Sequence, residues 1–380
     1  MRIVVTGQMA QYPLGGVTWF YLHYVVGLAR VGHDVFYIED SGQWPYNPEA
    51  DGLLEDCDFN VAYIDEVMTR FGLRGRWAYK FPWESQWFGL SEERRREVVE
   101  TADLLVNVSG TLERPWEYRG AGRLAYVDTD PVFTQLKLAR GQLDFRKQVD
   151  AHDVHFSYGE CLDGGVPDTG HRWLPTRPPV VLSEWRTDAE VRDVFTTVMN
   201  WTSHNSVEFE GVSYGQKNEE FQAYMDLPEH VAPARLELAL GSGKNEHPPT
   251  DLLTRKGWQL VRPADVCSDF DAFREYTETS KAEWGVAKNG YVRGQSGWFS
   301  ERSARYLAAG RPVVVQDTGF SKVLPVGDGI LPFTTPDEAA AGIRAVERDY
   351  DRHSRAARAV AEEWFDSDAV LGRLVEEALA

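Results

Sequence analysis

A serine-rich helix start late in the chain is the first group of residues that could bind a ligand. The stretch SGWFSERSARYLAAGRPVVVQD spans 296–317 and predicts a glycine-containing loop, a helix and a buried strand. A helix N-terminus has unpaired N–H groups and a partial positive charge, so it favours anions such as phosphate. The candidate anion-binding residues here are Gly297, Ser300, Glu301, Arg302 and Ser303. A serine followed by an acidic residue is also an ordinary helix cap, and that alternative stays open.

A second candidate loop, LGSGKNEHPP at 240–249, follows a predicted strand. Its Gly243 allows the backbone to approach a phosphate or a base closely, and Lys244 could pair with a phosphate. Because a lone Gly-x-Gly is a weak pattern, this loop is only a candidate for donor binding.

Strands and helices alternate along the chain, and this alternation must position both loops. RIVVT at 2–6, a glycine loop, a helix and the strand DVFYIED open a doubly wound α/β domain. The same order restarts with VFTTVMNW, QKNEEFQAYMDL and RLELALGSG. We also predict helical structure over 133–149, a capped helix at DAFREYTETS and amphipathic helical structure from about 336 to the end.

The length of 380 residues is too great for one core, so two domains are expected. The boundary falls after the Gly- and Pro-rich segment 161–179. We therefore divide the chain into an N-terminal domain over 1–180, a C-terminal domain over 181–360 and a final helix over 361–380.

Composition limits the class of partner. Lys and Arg number 40 against 59 Asp and Glu, so the net charge of −19 argues against nucleic acid and anionic membranes. Three isolated cysteines form neither a disulfide framework nor a zinc site, and no apolar stretch is long enough to span a membrane. A cytoplasmic location is the expectation, and the sequence leaves the oligomeric state open.

SERSARYLAAGRPVVVQDTGFSKVLPVGDGILPFTTPDEAAAGI, together with the opening MRIVVTG, resembles GT-B-fold glycosyltransferases of the group 1, family 4 type. The resemblance implies an α/β protein with two Rossmann-like domains facing across a cleft. The N-terminal domain would hold an acceptor, the C-terminal domain a nucleotide-sugar donor, and the last helix would cross back. No further cofactor is expected, and UDP or dTDP is the expected carrier of the sugar.

The resemblance assigns more residues to the donor. Lys288 and Arg293, which flank the loop before the helix start, would stabilise the charge on the leaving diphosphate without an obligatory metal. Arg262 would stack on the base. The strand ending at Asn200, Trp201 and Thr202 would reach the donor phosphate, although these residues could equally form a plain turn.

The N-terminal domain would supply the acceptor side and a general base. Residues expected to face the cleft near the acceptor are Gln8, Tyr12, Gly15 and Gly16. Transfer with inversion needs a base for the acceptor hydroxyl, and the catalytic candidates are Asp128, His155 and Glu160. Asp128-Thr129-Asp130 also matches a metal-binding Asp-x-Asp, but two similar triplets elsewhere in this acidic chain make the match close to chance, so no metal site is predicted.

One departure from the family keeps other functions open. The family's two glutamates, eight positions apart, are missing, and Arg305 stands where the second would fall. A nucleotide-sugar epimerase and a non-catalytic nucleotide-sugar binding protein therefore remain alternatives. A dehydrogenase is disfavoured because the first loop lacks Gly-x-Gly-x-x-Gly, although Glu39 lies where a ribose-binding acid could stand.

Overall fold

A computed structural model describes residues 1–50, 52–203, 205–243 and 246–380. Two parallel-dominated sheets, one in each half of the chain, organise these residues. The strands in chain order are β1 (Arg2–Thr6), β2 (Asp34–Glu39), β3 (Tyr46–Asn47), β4 (Gly52–Leu53), β5 (Trp77–Phe81), β6 (Gln86–Gly89), β7 (Leu104–Val108), β8 (Leu124–Asp128), β9 (Val154–Ser157), β10 (Trp173–Pro175), β11 (Phe195–Asn200), β12 (Val207–Phe209), β13 (Val212–Tyr214), β14 (Leu236–Gly241), β15 (Gln259–Val261), β16 (Ala282–Gly285), β17 (Val313–Gln316) and β18 (Ile330–Phe333).

Helices cover both faces of these sheets. The α-helices are α1 (Gly15–Arg30), α2 (Asp58–Arg70), α3 (Glu92–Glu100), α4 (Phe133–Ala139), α5 (Leu143–Asp150), α6 (Lys217–Phe221), α7 (Leu227–Val231), α8 (Thr250–Arg255), α9 (Pro263–Val266), α10 (Phe270–Thr279), α11 (Asn289–Gly294), α12 (Glu301–Ala308), α13 (Pro336–Arg348), α14 (Tyr350–Trp364) and α15 (Ser367–Leu379). Short 3-10 turns lie at Trp83–Ser85, Pro115–Tyr118, Leu182–Glu184, Gln222–Tyr224 and Phe320–Lys322.

The N-terminal sheet has the order β10-β9-β8-β7-β1-β2-β5-β6, and only its edge strand β6 is antiparallel. Its strands are almost wholly apolar because helices bury both faces, as expected for a parallel sheet. The strand order reverses between β1 and β7, so the loops that follow these two strands diverge and leave a crevice at the carboxyl edge.

The C-terminal sheet is parallel throughout and has the order β15-β14-β11-β16-β17-β18. This is the doubly wound order 3-2-1-4-5-6, whose switch point lies between β11 and β16. Ligands of such sheets bind outside the carboxyl ends of the strands at that switch point. The fold alone therefore predicts a ligand site near Asn200, at the end of β11, and the residues that follow Gly285, at the end of β16.

The last two helices connect the halves. α14 packs on α12, and α15 packs against α1 and β7 of the N-terminal sheet. Gly27 makes the α1–α15 contact close, because a Cβ there would lie 2.6 Å from a methyl carbon of Leu371. Trp19, Phe270 and Tyr306 belong to one apolar cluster that is continuous across both halves.

Two sequence predictions need correction. The helical segment predicted over 133–149 is divided into two helices, because Gly141 between them has a φ of +70° that ends the first one. The helix predicted at DAFREYTETS starts one residue earlier, at Phe270, and its cap is Asp269, whose Oδ1 accepts hydrogen bonds from the N–H groups of Asp271 and Ala272, both at 2.9 Å.

Candidate functional site

A cleft of about 1750 Å³ lies between the two sheets. Its N-terminal wall comes from the loop after β1 and from α1, α2 and the β3 region. Its C-terminal wall comes from the carboxyl ends of β11 and β14, the segment 262–273 and the start of α12. A typical small-ligand pocket has roughly 300–1,000 Å³, so this cleft has room for two substrates side by side.

Lys217, the first residue of α6, provides an amine that lines the cleft. The side chain is partly exposed to the cleft but is surrounded by protein. Burial, and then the nearby charges of Arg302 and Lys288, lower the pKa of Lys217 to about 7, although Glu301 and Glu283 oppose this shift. An ammonium held among other cations stabilises a bound anion, and the anion in turn restores the pKa of the lysine.

Arg302 lies beside Lys217 and also lines the cleft. Its Nε donates to Glu283, which is fully buried on β16, and its Nη1 donates to the carbonyl of Val198 at 3.0 Å. Burial opposes the charge, but the ion pair with Glu283 outweighs it and raises the pKa of Arg302. The guanidinium is therefore a fixed cation at the switch point.

Arg305, one turn further along α12, is 2% exposed and spans the two domains. Its Nη1 donates to the carbonyl of Gly16 at 2.8 Å, and its Nε donates to the carbonyl of Glu301 at 3.1 Å. Its guanidinium also lies 4.9 Å from the ring centre of Phe273. Burial lowers the pKa of Arg305 to about 10, so the group stays charged at neutral pH.

The start of α12 is only partly available to a ligand. Ser300 is the cap, as the capping alternative predicted: its Oγ accepts from the N–H of Arg302 at 3.2 Å. Ser300 and Ser303 line a separate cavity of about 20 Å³ rather than the cleft. Gly297 is buried, and its N–H donates to the carbonyl of Thr318 at 2.9 Å. Glu301 and Arg302 are the residues of this group that reach the cleft.

The structure thus brings together eight of the sequence candidates and separates most of the others. The candidates that line the cleft are Gln8, Tyr12, Gly16, Asn200, Gly243, Arg262, Glu301 and Arg302. The candidates found elsewhere are Gly15, Asp128, His155, Glu160, Trp201, Thr202, Lys288, Arg293, Gly297, Ser300 and Ser303. Lys244 lies outside the described residues.

The residues after β11 divide between the cleft and the core. Asn200 is exposed in the cleft, whereas Trp201 is fully buried with its ring 5.4 Å from that of Phe221. Gly243 packs so closely on the carbonyl of Thr202 that a Cβ would overlap it, and its φ of +78° also requires glycine. Trp201 and Thr202 therefore shape the end of the strand, and Asn200 is the residue that faces a ligand.

The two predicted cations before α12 do not lie in the cleft. Lys288 forms an ion pair of 2.9 Å with Asp130 of the other domain. Arg293 is exposed on α11 and donates from Nε to Asn289 at 2.9 Å. Lys217 is a cation that lines the cleft, as was expected of Lys288 and Arg293, and the sequence analysis did not identify it. Its segment, QKNEEF, has the composition of an exposed helix, so no local pattern marks the lysine.

None of the three predicted catalytic residues faces the cleft. Asp128 is 1% exposed, and its carboxylate accepts from Thr134, Gln135 and Ser157 at 2.7–3.0 Å. Burial raises the pKa of Asp128, and these hydrogen bonds counteract the rise. A carboxylate with this many donors holds the β8–α4 turn together.

The other two catalytic candidates also have structural partners. The Nε2 of His155 bonds the carbonyl of Val149 at 3.0 Å, and its ring lies 4.8 Å from that of His171. Burial lowers the pKa of His155. Glu160 forms a two-pronged ion pair with Arg177, one contact of which measures 2.7 Å.

The β1–α1 loop on the acceptor side is held by Glu39. This carboxyl group is fully buried and accepts from the N–H groups of Ala10 at 2.9 Å and Gln11 at 2.6 Å and from the hydroxyl of Tyr37 at 2.7 Å. Burial raises the pKa of Glu39 to about 7. Glu39, at the end of β2, therefore holds the β1–α1 loop. Its carboxyl group already has these partners, which removes the argument that it binds the ribose of a dinucleotide.

Gly15, expected on the acceptor side, instead forms the contact between domains. Its N–H donates to the carbonyl of Cys267 at 3.1 Å, and a Cβ would overlap the carbonyl oxygen of Asp269 and lie 2.5 Å from the Cβ of Phe273. Gly16 lines the cleft, and a Cβ there would be at an ordinary 3.4 Å from the ring of Phe273.

Compared as a sequence, the chain matches no protein-family model and no curated protein. Solved structures of glycosyltransferases match it over its full length. AviGT4, a glycosyltransferase involved in avilamycin A biosynthesis, is 14% identical with a TM-score of 0.56, over 99% of this chain and 96% of the other. The chain has the GT-B fold.

Two further GT-B structures were determined with nucleotide. An alpha-glucosyltransferase in complex with UDP and a mismatched 13-mer DNA is 11% identical with a TM-score of 0.62, over 100% of this chain and 99% of the other. Anabaena Alr3699/HepE in complex with UDP is 13% identical with a TM-score of 0.59, over 99% of both chains. The predicted fold class is therefore confirmed, with two Rossmann-like domains facing across a cleft.

Two structural features are absent from residues 1–50, 52–203, 205–243 and 246–380, the part of the chain that the structure describes. No helix among them is both long and apolar enough to cross a bilayer. No group of three or more His, Cys, Asp and Glu side chains among them is arranged to hold a metal ion.

Proposed function

We propose that this chain is a glycosyltransferase that moves a sugar from a nucleoside diphosphate sugar, with UDP as the first carrier to test, to an acceptor hydroxyl. The observation that carries the proposal is the pair of cations, Lys217 and Arg302, at the switch point of the C-terminal sheet. Both line an interdomain cleft of the GT-B fold, and GT-B neighbours were solved with UDP.

The chemistry follows from where charge develops. As the bond to the sugar breaks, the leaving diphosphate gains negative charge, and pre-positioned cations stabilise that charge more than they stabilise the intact donor. Arg302 is already oriented by Glu283 and Val198, so it loses little freedom on binding. Lys217 becomes a full ammonium when the phosphate arrives.

The remaining roles in this proposal go to cleft residues. Glu301 would accept from hydroxyls of the ribose or the sugar, Asn200 would bond the phosphate, and Arg262 would contact the base. Arg262 is exposed and now forms a two-pronged ion pair with Asp265, so it can change partner without a cost in burial. Five described carboxylates line the cleft: Glu49, Glu66, Asp269, Asp271 and Glu301. Asp269 caps α10 and Asp271 pairs with Arg70 and Arg274, so Glu49, Glu66 and Glu301 are the candidates for a general base.

The test is a thermal-shift panel of UDP, dTDP, GDP and ADP, each with and without EDTA, on the wild type, Lys217→Met and Lys322→Met. Lys322 is an exposed lysine of the same domain outside the cleft and provides the matched control. A ligand at 100 times its Kd raises stability by about 2.7 kcal/mol, which is readily measured. We expect UDP to raise Tm in the wild type and the control, insensitively to EDTA, and much less in Lys217→Met.

The products formed from UDP-glucose distinguish a transferase from an epimerase and from a non-catalytic binding protein. Incubation with UDP-glucose and an acceptor should release UDP and form a glycoside. A changed sugar still attached to UDP would indicate an epimerase, and tight UDP-glucose binding without any product would indicate a binding protein. If none of the four nucleotides shifts Tm, the diphosphate site does not exist and the proposal fails.

A further inference from the structure

The N-terminal wall of the cleft is aromatic. Tyr12, Phe20, Tyr46 and Phe59 are each partly exposed and line it, and the rings of Tyr12 and Tyr46 lie 6.3 Å apart. Behind them, Tyr63 stacks on Phe59 at 6.3 Å with an interplanar angle of 14°. Partly exposed aromatic faces on one side of a cleft favour flat or ring-shaped ligands, since ring faces pack on one another with little loss of side-chain freedom.

This wall also lacks positive charge. Among the described residues that line the cleft from the N-terminal domain, none is Lys, Arg or His, whereas Glu49 and Glu66 both lie there with exposed side chains. On the facing side, Asp269 adds a carboxylate next to the same opening, whereas the carboxylate of Asp271 is neutralised by ion pairs with Arg70 and Arg274. The Lys and Arg residues that line the cleft, Lys217, Arg262, Arg302 and Arg305, all belong to the C-terminal domain.

The cleft is therefore divided by charge into a cationic side for a diphosphate and an aromatic, acidic side for the acceptor. A phosphate or carboxylate on the acceptor would lie against carboxylates and ring faces, which carry negative potential.

We infer, on the basis of the proposed function, that the acceptor is a small ring-bearing alcohol or phenol that carries no negative charge. This excludes nucleic acids, sugar phosphates and acidic sugars from the acceptor position. The inference differs from what the fold suggests, since one GT-B neighbour was solved in complex with DNA. DNA recognition depends on cations that neutralise phosphates, and the acceptor wall described here has none.

The experiment uses compounds that share a ring and differ chiefly in the charge of one substituent. Tyramine, 4-hydroxyphenethyl alcohol and 4-hydroxyphenylacetate share one phenol ring and carry a positive, a zero and a negative charge. Methyl glucoside and methyl glucuronide provide a sugar pair. Binding to the full chain is measured by saturation-transfer NMR and competition, with and without UDP, and a short DNA duplex is tested by mobility shift at low salt.

We expect the cationic and neutral compounds to bind at least tenfold more tightly than their anionic counterparts, and the duplex not to bind. Tyr12→Ala should weaken every bound compound, whereas Trp116→Ala, a partly exposed aromatic outside the cleft, should not. Glu49→Lys with Glu66→Lys should raise the affinity of the anionic compounds. Glu92→Lys with Glu93→Lys changes the net charge equally but lies on α3, away from the cleft, and should not.

Equal or tighter binding of the anionic compounds, binding of the duplex, or binding of none of the five compounds overturns the inference. An equal effect of the two charge-reversed pairs would show that net charge, and not this wall, decides, which also overturns it. Because the titrations are run without UDP as well, failure of the nucleotide to bind counts against the proposed function, whereas the acceptor preference is measured independently.

Discussion

Protonation of Lys217 should control nucleotide binding above neutral pH. Burial and the charges of Arg302 and Lys288 lower the pKa of Lys217 to about 7. A diphosphate placed against the amine favours its charged form, so the pKa rises toward the ordinary value near 10.5 when the nucleotide binds. Binding at pH 8 must therefore take up a proton.

The magnitude follows from the two protonation states. With a pKa of about 7, roughly a tenth of Lys217 is protonated at pH 8, so binding takes up about 0.9 proton. If the protonated form alone binds well, Kd rises about tenfold from pH 8 to pH 9, which is about 1.4 kcal/mol. The terminal phosphate of the nucleotide has a pKa of about 6 and is already ionised throughout this range.

Isothermal titration of UDP in two buffers of different ionisation enthalpy, Tris and HEPES, measures the proton uptake directly. Lys217→Met should abolish the uptake, flatten the dependence of Kd on pH and weaken binding at pH 7 by about 10- to 150-fold, because hydrogen bonds to charged groups contribute about 1.5–3 kcal/mol. Lys322→Met should behave as the wild type. Proton uptake that persists in Lys217→Met would refute the reasoning, since another group would then be the one that titrates.

Three further predictions concern stability. Gly15→Ala should lower the free energy of unfolding, measured in urea titrations, by about 1–3 kcal/mol, because a Cβ there overlaps the Asp269 carbonyl. Gly16→Ala should lower it much less. Equal losses for the two variants would mean that the domains separate in solution. Asp128→Asn should lower the free energy of unfolding by about 1–3 kcal/mol and leave the affinity for UDP unchanged. Weaker UDP binding by this variant would show that Asp128 contributes to the ligand site. Glu39 has a pKa of about 7 in the folded protein against a reference value of 4.5, so it binds a proton more tightly when folded, and its contribution to the free energy of unfolding is fully present below pH 4.5 and is lost as pH rises through 7. Relative to Glu39→Gln, the wild type should lose up to about 3 kcal/mol of stability between pH 4.5 and 8. Parallel pH profiles of the two proteins would contradict this.

The order of strands and helices could be predicted from the sequence because it depends on local patterns. Buried strands read as short apolar runs, and the cap of α12 reads as a serine before an acidic residue. The sequence predicts that Gly243 allows close approach to a phosphate or a base; in the structure its close contact is the carbonyl of Thr202, and it also lines the cleft.

The membership of the site was harder to predict because it depends on which side chains already have partners. Asp128 and His155 have the right chemistry for a base, but the structure gives each of them hydrogen bonds within its own turn or strand. Lys217 has an unremarkable sequence context, and its significance comes from the distant residues Arg302 and Lys288 that surround it. No spacing rule along the chain encodes that kind of proximity.

Arg305 shows how the departure from the family pattern fits this molecule. The resemblance places a glutamate at this position, where it would contact the donor. Here the guanidinium bonds the carbonyl of Gly16 in the opposite domain and also lines the cleft. The neighbouring residue Gly15 donates its N–H to the carbonyl of Cys267, so the start of α1 is bonded to the C-terminal domain at two adjacent residues. In this structure the side chain at this position links the two domains, and in the proposed transferase the diphosphate would depend on the cations Lys217 and Arg302.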